Sequence, residues 1–260
     1  MDVTNRLPIW LTEGDPYVAM HTNKRRFSPV RKLEFRIATM KARKQIIALA
    51  AIAAVGVLSA QAQVLITEVD ANGSGAAYGA DWFEIFNAGS TTVDLTGWKM
   101  DDSSAAFGTA VGMRGTTSLA PGQLAVFLEG NATGTTDLTI TSSFQAAWGA
   151  NLPSNLTLGF YGGSGVGLSG GGDGVNLFDS TGTKMASVSF GASTLGQTFD
   201  NAAGVNNGTL TQISAVGVNG AFTSANGVEV GSPGVVPEPS SLALFATGAA
   251  LLGMLCRRKN

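Results

Sequence analysis

Apolar residues are arranged in two ways along this chain. Near each end lies one long apolar run, Ile46–Ala60 and Leu242–Cys256, each with basic residues beside it. Between them no long stretch keeps a helical period, and short apolar runs alternate with turn residues, the pattern of strands in a sandwich or barrel. The spacing predicts strands at Val64–Val69, Trp82–Asn87, Thr92–Leu95, Gly97–Met100, Leu124–Leu128, Thr157–Tyr161, Gly174–Phe178 and Lys184–Phe190. Weaker signals lie at Thr198–Phe199, Leu210–Ile213 and Val228–Val230, and Ser143–Trp148 reads as one or two helical turns. Turns such as Pro121-Gly122, Asp173-Gly174 and Asp179-Ser180-Thr181-Gly182 supply positive-φ glycines and Asx side chains. Strands this short bury a face only when two sheets pair. Trp98 is expected at the centre of that core, with Trp82, Phe86 and Leu95 around it.

The two long runs read as addresses. Lys41, Arg43 and Lys44 precede the first run, and Ala60-Gln61-Ala62 ends it. A basic start, a short apolar stretch and a small-x-small site make a secretory signal peptide over 40–62, with cleavage determined by Ala60 and Ala62. Fifteen residues reach only about 22 Å as a helix, less than the hydrocarbon core of a bilayer. Residues 1–39 show no period and stand upstream of a complete signal, so they read as a mis-assigned start or an extended n-region without ordered structure. At the other end, Val236-Pro237-Glu238-Pro239-Ser240 leads into a 17-residue uncharged run that predicts a short transmembrane helix. Arg257, Arg258 and Lys259 follow it as a stop-transfer cluster that stays cytoplasmic.

Composition changes the picture once these segments are set aside. The whole chain of 260 residues has a formal charge of −2. The stretch 63–236 holds only Lys99, Arg114 and Lys184 against thirteen acids, a balance of −10, and 31 of the 35 glycines. The single His21 and single Cys256 both fall outside it. His-based triads, cysteine nucleophiles, disulfides and ordinary zinc sites are therefore excluded from the central body. A body this acidic repels phosphates, so nucleic acid is not an expected partner.

Carboxylates and hydroxyls are the remaining chemistry. A glycosidase needs two carboxyls about 5–10 Å apart. Glu68 and Asp70 share a strand face, whereas Asp81/Glu84 and Asp101/Asp102 are spaced to opposite faces, so the acids read as solvated surface and no catalytic residue is assigned. Asp70, Asn72, Ser74 and Gly75, with Asp81 at the twelfth position, reproduce part of a calcium loop. Ser74 and Asp81 depart from that pattern, so calcium is a weak candidate beside a plain Gly-rich hairpin, and no other cofactor is expected. Gly165-x-Gly167-x-x-Gly170 matches a dinucleotide fingerprint only formally, lacks a following helix, and reads as a flexible loop.

Two resemblances follow from these residues. Pro237-Glu238-Pro239, the short apolar run and the terminal basic cluster resemble the PEP-CTERM sorting tail of Gram-negative bacteria. That implies recognition by an exosortase, export to the cell envelope, surface or extracellular matrix, and a host that makes extracellular polysaccharide. The body is similar to the lamin tail domain in Leu65-Ile66-Thr67-Glu68-Val69, Asp81–Asn87, Val93–Asp102, Leu119–Gln123, Gly172–Asp179 and Ser232-Pro233-Gly234. Gly130–Leu168 reads as an insertion. The resemblance implies an all-β, immunoglobulin-like β-sandwich over 63–235, followed by the sorting tail over 236–260. The expected role is structural or adhesive and non-catalytic, with exosortase and signal peptidase as processing partners. A carbohydrate-binding module is the alternative, for which Phe144, Trp148 and Tyr161 would form an exposed aromatic strip, and an extracellular hydrolase ranks below it.

Overall fold

Two five-stranded sheets face each other across an apolar core. The computed structural model describes residues 63–162 and 165–235. The first sheet has the order β11-β1-β2-β7-β8, with β1 Val64–Asp70, β2 Trp82–Asn87, β7 Leu124–Glu129, β8 Thr157–Tyr161 and β11 Phe199–Asp200. The second has the order β12-β10-β9-β4-β5, with β4 Lys99–Asp101, β5 Val111–Gly112, β9 Asp173–Phe178, β10 Lys184–Phe190 and β12 Gly208–Leu210. Two small ribbons pair β3 (Val93–Asp94) with β6 (Ser118–Leu119) and β13 (Phe222–Thr223) with β14 (Val230–Gly231). Most neighbours are antiparallel, but β7–β8 and β10–β12 run parallel.

Period-two alternation decides which side chain faces which layer. Phe83 and Ile85 of β2 and Ala125 and Phe127 of β7 enter the space between the sheets. They meet Met100, Val175, Leu177, Ala186 and Val188 from the second sheet. A register shift between Ile66 and Glu68 puts Ile66 and Val69 both on the inner face, leaving Glu68 and Asp70 outside. Trp98 and Leu95 belong to this inner core, as expected.

Trp82 and Phe86 do not surround Trp98. Alternation in β2 sends both to the opposite face from Phe83 and Ile85. Trp82 joins a second core with Val126, Leu128, Phe144 and Trp148, and Phe86 is buried outside either cluster. The helix that covers this face, α1 (Asp137–Trp148), is twelve residues long and begins six residues before the expected turn. Ile140, Phe144, Ala147 and Trp148 form its buried stripe at helical spacing. Its threonine-rich start has low helix propensity, but Asp137 favours the positive end of the helix dipole. Asp137 is also held in a two-pronged pair by Arg114 Nε (2.9 Å) and Nη2 (2.8 Å), the one salt bridge among the described residues. The insertion is thus a β7–α1–β8 crossover whose last strand is the sheet's edge.

Other expectations shift. Thr92–Leu95 contracts to Val93–Asp94, Leu210–Ile213 moves to Gly208–Leu210, and Val228–Val230 moves to Val230–Gly231. Strands β5, β6 and β13 carry no sequence signal, because two residues are too few to show a period. The glycine-rich stretch is no free loop, since Val166 and Leu168 plug into the inner core. The signal helix with Ala60 and Ala62 lies outside the described residues. So does the tail with Pro237, Glu238, Pro239, Arg257, Arg258 and Lys259. Among the described residues no helix is long and apolar enough to cross a membrane.

Candidate functional site

Seven of the body's thirteen acids are buried, which corrects their reading as solvated surface: Glu68, Asp70, Asp81, Glu84, Asp101, Asp200 and Glu229. Asp101 organises the turn after β4, accepting from Ser104 Oγ, the Ala106 amide (2.7 Å) and Thr109 Oγ1 (3.2 Å). Three of the others, Glu68, Asp70 and Glu84, lie on the outer face of the first sheet beneath the segment Ser224–Val235, and Glu229 reaches them from that segment. Glu68 and Glu84 project from paired positions on β1 and β2. Glu84 Oε1 lies 2.7 Å from Thr67 Oγ1, and its Oε2 accepts from the Gly234 amide at 2.5 Å. Glu68 Oε1 accepts from Thr198 Oγ1 (2.5 Å) and from the Ser232 amide (2.7 Å), while its Oε2 is buried with no partner. Burial first, and then the neighbouring Glu84 charge, pushes the Glu68 carboxyl well up. Burial pushes Glu84 up to about 8.

The second pair is bridged by a phenol. Tyr78 Oη lies 2.9 Å from Asp70 Oδ2 and 2.7 Å from Glu229 Oε1, and it accepts from Trp82 Nε1 at 3.0 Å. One hydroxyl proton serves only one of those carboxylates, so the other contact requires a proton on a carboxyl. Burial, opposed by the Asn72 amide and reinforced by the Glu229 charge, pushes Asp70 up to about 7. Burial also raises Glu229, with the Tyr78 hydrogen bond acting against it. None of the three body cations takes part. Lys99 sits over the Phe107 ring, Arg114 binds Asp137, and Lys184 donates to Asn176 Oδ1.

Burial favours the protonated form of these carboxyls, and the gap beside Glu84 is closed. The gap lined by Thr67, Glu84, Asp200, Asn219, Ser232 and Val235 has no space for a water molecule. It also differs from a calcium loop. Asp70 Oδ1 accepts from the Asn72 amide at 2.9 Å, and Asn72 Nδ2 donates to Ser193 Oγ at 2.6 Å. Gly73–Gly75, which includes Ser74, forms a short 3-10 turn, and Asp81 is buried near β2. Among the described residues no three His, Cys, Asp or Glu side chains are grouped to hold a metal ion. The aromatic strip is absent as well, because Phe144, Trp148 and Tyr161 are each fully buried. Sequence reasoning placed Glu68 and Asp70 together but missed Glu84 and Glu229. A glutamate inside the apolar run Trp82-Phe83-Glu84-Ile85-Phe86 was the available signal.

The second sheet offers the opposite surface. Its outer face carries an open trough of about 340 Å³, with Gly174 and Asn176 from β9, Ser187 and Ser189 from β10, and Asn207 and Thr209 beside β12. Hydroxyls, amides and the Asp173 carboxyl line it, with Ala105 and Val188 among them and no aromatic ring.

Family models match two parts of the chain. The Lamin Tail Domain matches residues 58–192, and the PEP-CTERM protein-sorting motif matches residues 235–259. The chain belongs to the lamin tail domain family. Its sorting motif marks it for exosortase-dependent export to the cell envelope or surface. The lamin tail match covers β1 to β10 and stops short of the Gly234 to which the resemblance extended. Residues 193–234, which hold β11–β14 and the cover over the buried acids, lie between the two matches. No curated protein matches the chain.

Proposed function

We propose that this lamin tail domain protein is a non-catalytic structural or adhesive component of the cell surface or extracellular matrix. In this reading a signal peptide over 40–62 exports it, signal peptidase cuts after Ala62, and the Leu242–Cys256 helix holds it in the inner membrane until exosortase acts near Pro237-Glu238-Pro239. The observation that carries the reading is the sealing of the acids. The carboxyls with the most displaced proton affinities, Glu68, Asp70 and Glu84, are closed off beneath Ser224–Val235, where no substrate reaches them. General acid–base chemistry needs such a group within hydrogen-bond reach of substrate.

The full chain is expected in the surface or matrix fraction of its native host, and a chain ending before Pro237 is expected to be missing from it. Release of sugars from host polysaccharide by the purified chain would replace this reading with a hydrolase. A second reading, binding of extracellular polysaccharide, is favoured by the open trough of hydroxyls and amides on the second sheet. Co-sedimentation with that polysaccharide, lost on Ser189→Trp, would establish it.

A further inference from the structure

The segment between the two family matches is attached to the sheet in an unusual way. Its last part, Glu229–Gly234, with Val235 at the start of the sorting match, carries the ribbon strand β14 and is bonded through Val230 to Gly196 and Thr198. It reaches the first sheet through three carboxyl-centred contacts. Glu229 meets Tyr78 and Asp70, the Ser232 amide donates to Glu68, and the Gly234 amide donates to Glu84. The backbone lies close enough that only glycine fits. A Cβ on Gly231 would stand 2.7 Å from Glu68 Oε1, and one on Gly234, at φ +81°, would stand 2.8 Å from Pro153. The groups facing these carboxyls are also acids or phenols: Tyr78 and Asp81 from the β1–β2 loop and Asp200 from β11, with no Lys or Arg hydrogen-bonded to them among the described residues. Buried carboxyls without a cation are far cheaper as neutral acids than as anions.

At Glu84 the hydrogen-bond geometry agrees with that protonation. Thr67 Oγ1 lies 3.4 Å from the Glu84 carbonyl, to which it can donate while accepting a proton from Glu84 Oε1. Glu84 Oε2 then remains the acceptor for Gly234. At Glu68 the bonds that Oε1 accepts from Thr198 and Ser232 favour the anion and Oε2 is buried without a partner, so burial beside Glu84, not hydrogen bonding, favours the acid there.

We propose that Glu229–Val235 is a proton-dependent latch, closed while Glu68, Glu84 and one of Asp70 and Glu229 are protonated and opened when they ionise. The sorting motif matches from residue 235 onward, so the latch sets how much free chain precedes it. Closed, the body ends at Val235. Open, the six latch residues ahead of the motif add up to about 21 Å of extended chain. Ionisation opens the latch because several like charges would then crowd one dry face. The latch does not depend on the surface role proposed above. Its test reads the amides of the body, whereas failure of the surface role shows in the host fractions.

Amide exchange of the full chain in detergent tests this, after correction for the intrinsic pH dependence of exchange. Protection of peptides covering 229–235 should fall by tenfold or more per pH unit as pH rises from about 5 to about 8, while peptides from β7 and β9 stay protected. Glu84→Gln imitates the neutral acid, with its amide donating to Thr67 and its oxygen accepting from Gly234. With one ionising group removed, it should leave 229–235 more protected at pH 9 than in the unaltered chain and make the fall between pH 6 and pH 9 smaller. Equal protection of 229–235 at pH 6 and pH 9 in the unaltered chain would overturn the proposal. So would loss of protection that spreads equally to β7 and β9. Should Glu84→Gln not fold, the infrared carboxyl band of the unaltered chain decides, since protonated carboxyls must persist at pH 7 and their absence refutes the latch.

Discussion

The two outer faces of this sandwich have opposite fates. On the second sheet, the outward positions of β9 and β10 carry Asn176 and Ser187, buried at the floor of an open trough, and Ser189, exposed beside it. On the first sheet, the outward positions of β1 and β2 carry Glu68, Asp70, Trp82 and Glu84, and all four are buried. The charged face is the covered one. Alternation within a strand says which residues share a face, but it does not say whether that face meets water. Here α1 and the segment Ser224–Val235 decide the matter, and they add a second apolar core outside the one between the sheets.

Trp148→Ala should change that contrast most. The ring is fully buried and packs edge-on against Trp82 (6.2 Å) and Phe222 (5.6 Å). Removing a buried Trp leaves a cavity and costs roughly 3–5 kcal/mol, read as a lower midpoint in chemical unfolding. Because the damage lies outside the inter-sheet core, amides of 224–235 should lose protection before those of β9.

The pH dependence of stability sharpens the comparison next. Asp70, at about 7, and Glu84, at about 8, hold protons in the fold that the unfolded chain releases near pH 4. Stability is therefore full below about pH 4 as far as these groups are concerned, and it is lost as pH rises through 7 and 8. The slope is roughly 1.4 kcal/mol per pH unit for each proton so held. Thermal midpoints should be higher at pH 5 than at pH 8.5, the reverse of ordinary acid unfolding. Midpoints that rise across that interval would show the outer-face acids to be ionised in the fold. The smallest effect is expected from Ser189→Ala on the open face, where stability should stay within about 0.5 kcal/mol by the same unfolding measurement.

Much of the inner architecture was legible because its strands are long enough to alternate. Phe83, Ile85 and Phe127 point inward as the pattern requires, and Trp98 anchors the core. Ribbons of two residues gave no pattern to read. Thr139, Ile140 and Thr141 obscured the start of α1 because β-branched residues favour strands locally, and only the packing of Phe144 and Trp148 on Trp82 overrides them. The acids were harder. Glu68 and Glu84 are brought together by strand pairing, and Glu229 joins Asp70 from 159 positions away in sequence. No local spacing encodes such a meeting. The aromatic residues suspected of forming a sugar platform are split between two cores, Phe144 and Trp148 on the outer face under α1 and Tyr161 between the sheets, and neither placement follows from their spacing.

The hydrogen bond from Gly234 to Glu84 also has a mechanical meaning. Any pull applied through the residues after Val235 loads that bond first and the Ser232–Glu68 bond next. Neither belongs to the long ladders of β1, β2 and β7, which share load across many hydrogen bonds at once. Under tension the last few residues should peel away one contact at a time, leaving the paired sheets intact. They would act as a weak link that yields before the body it is tied to.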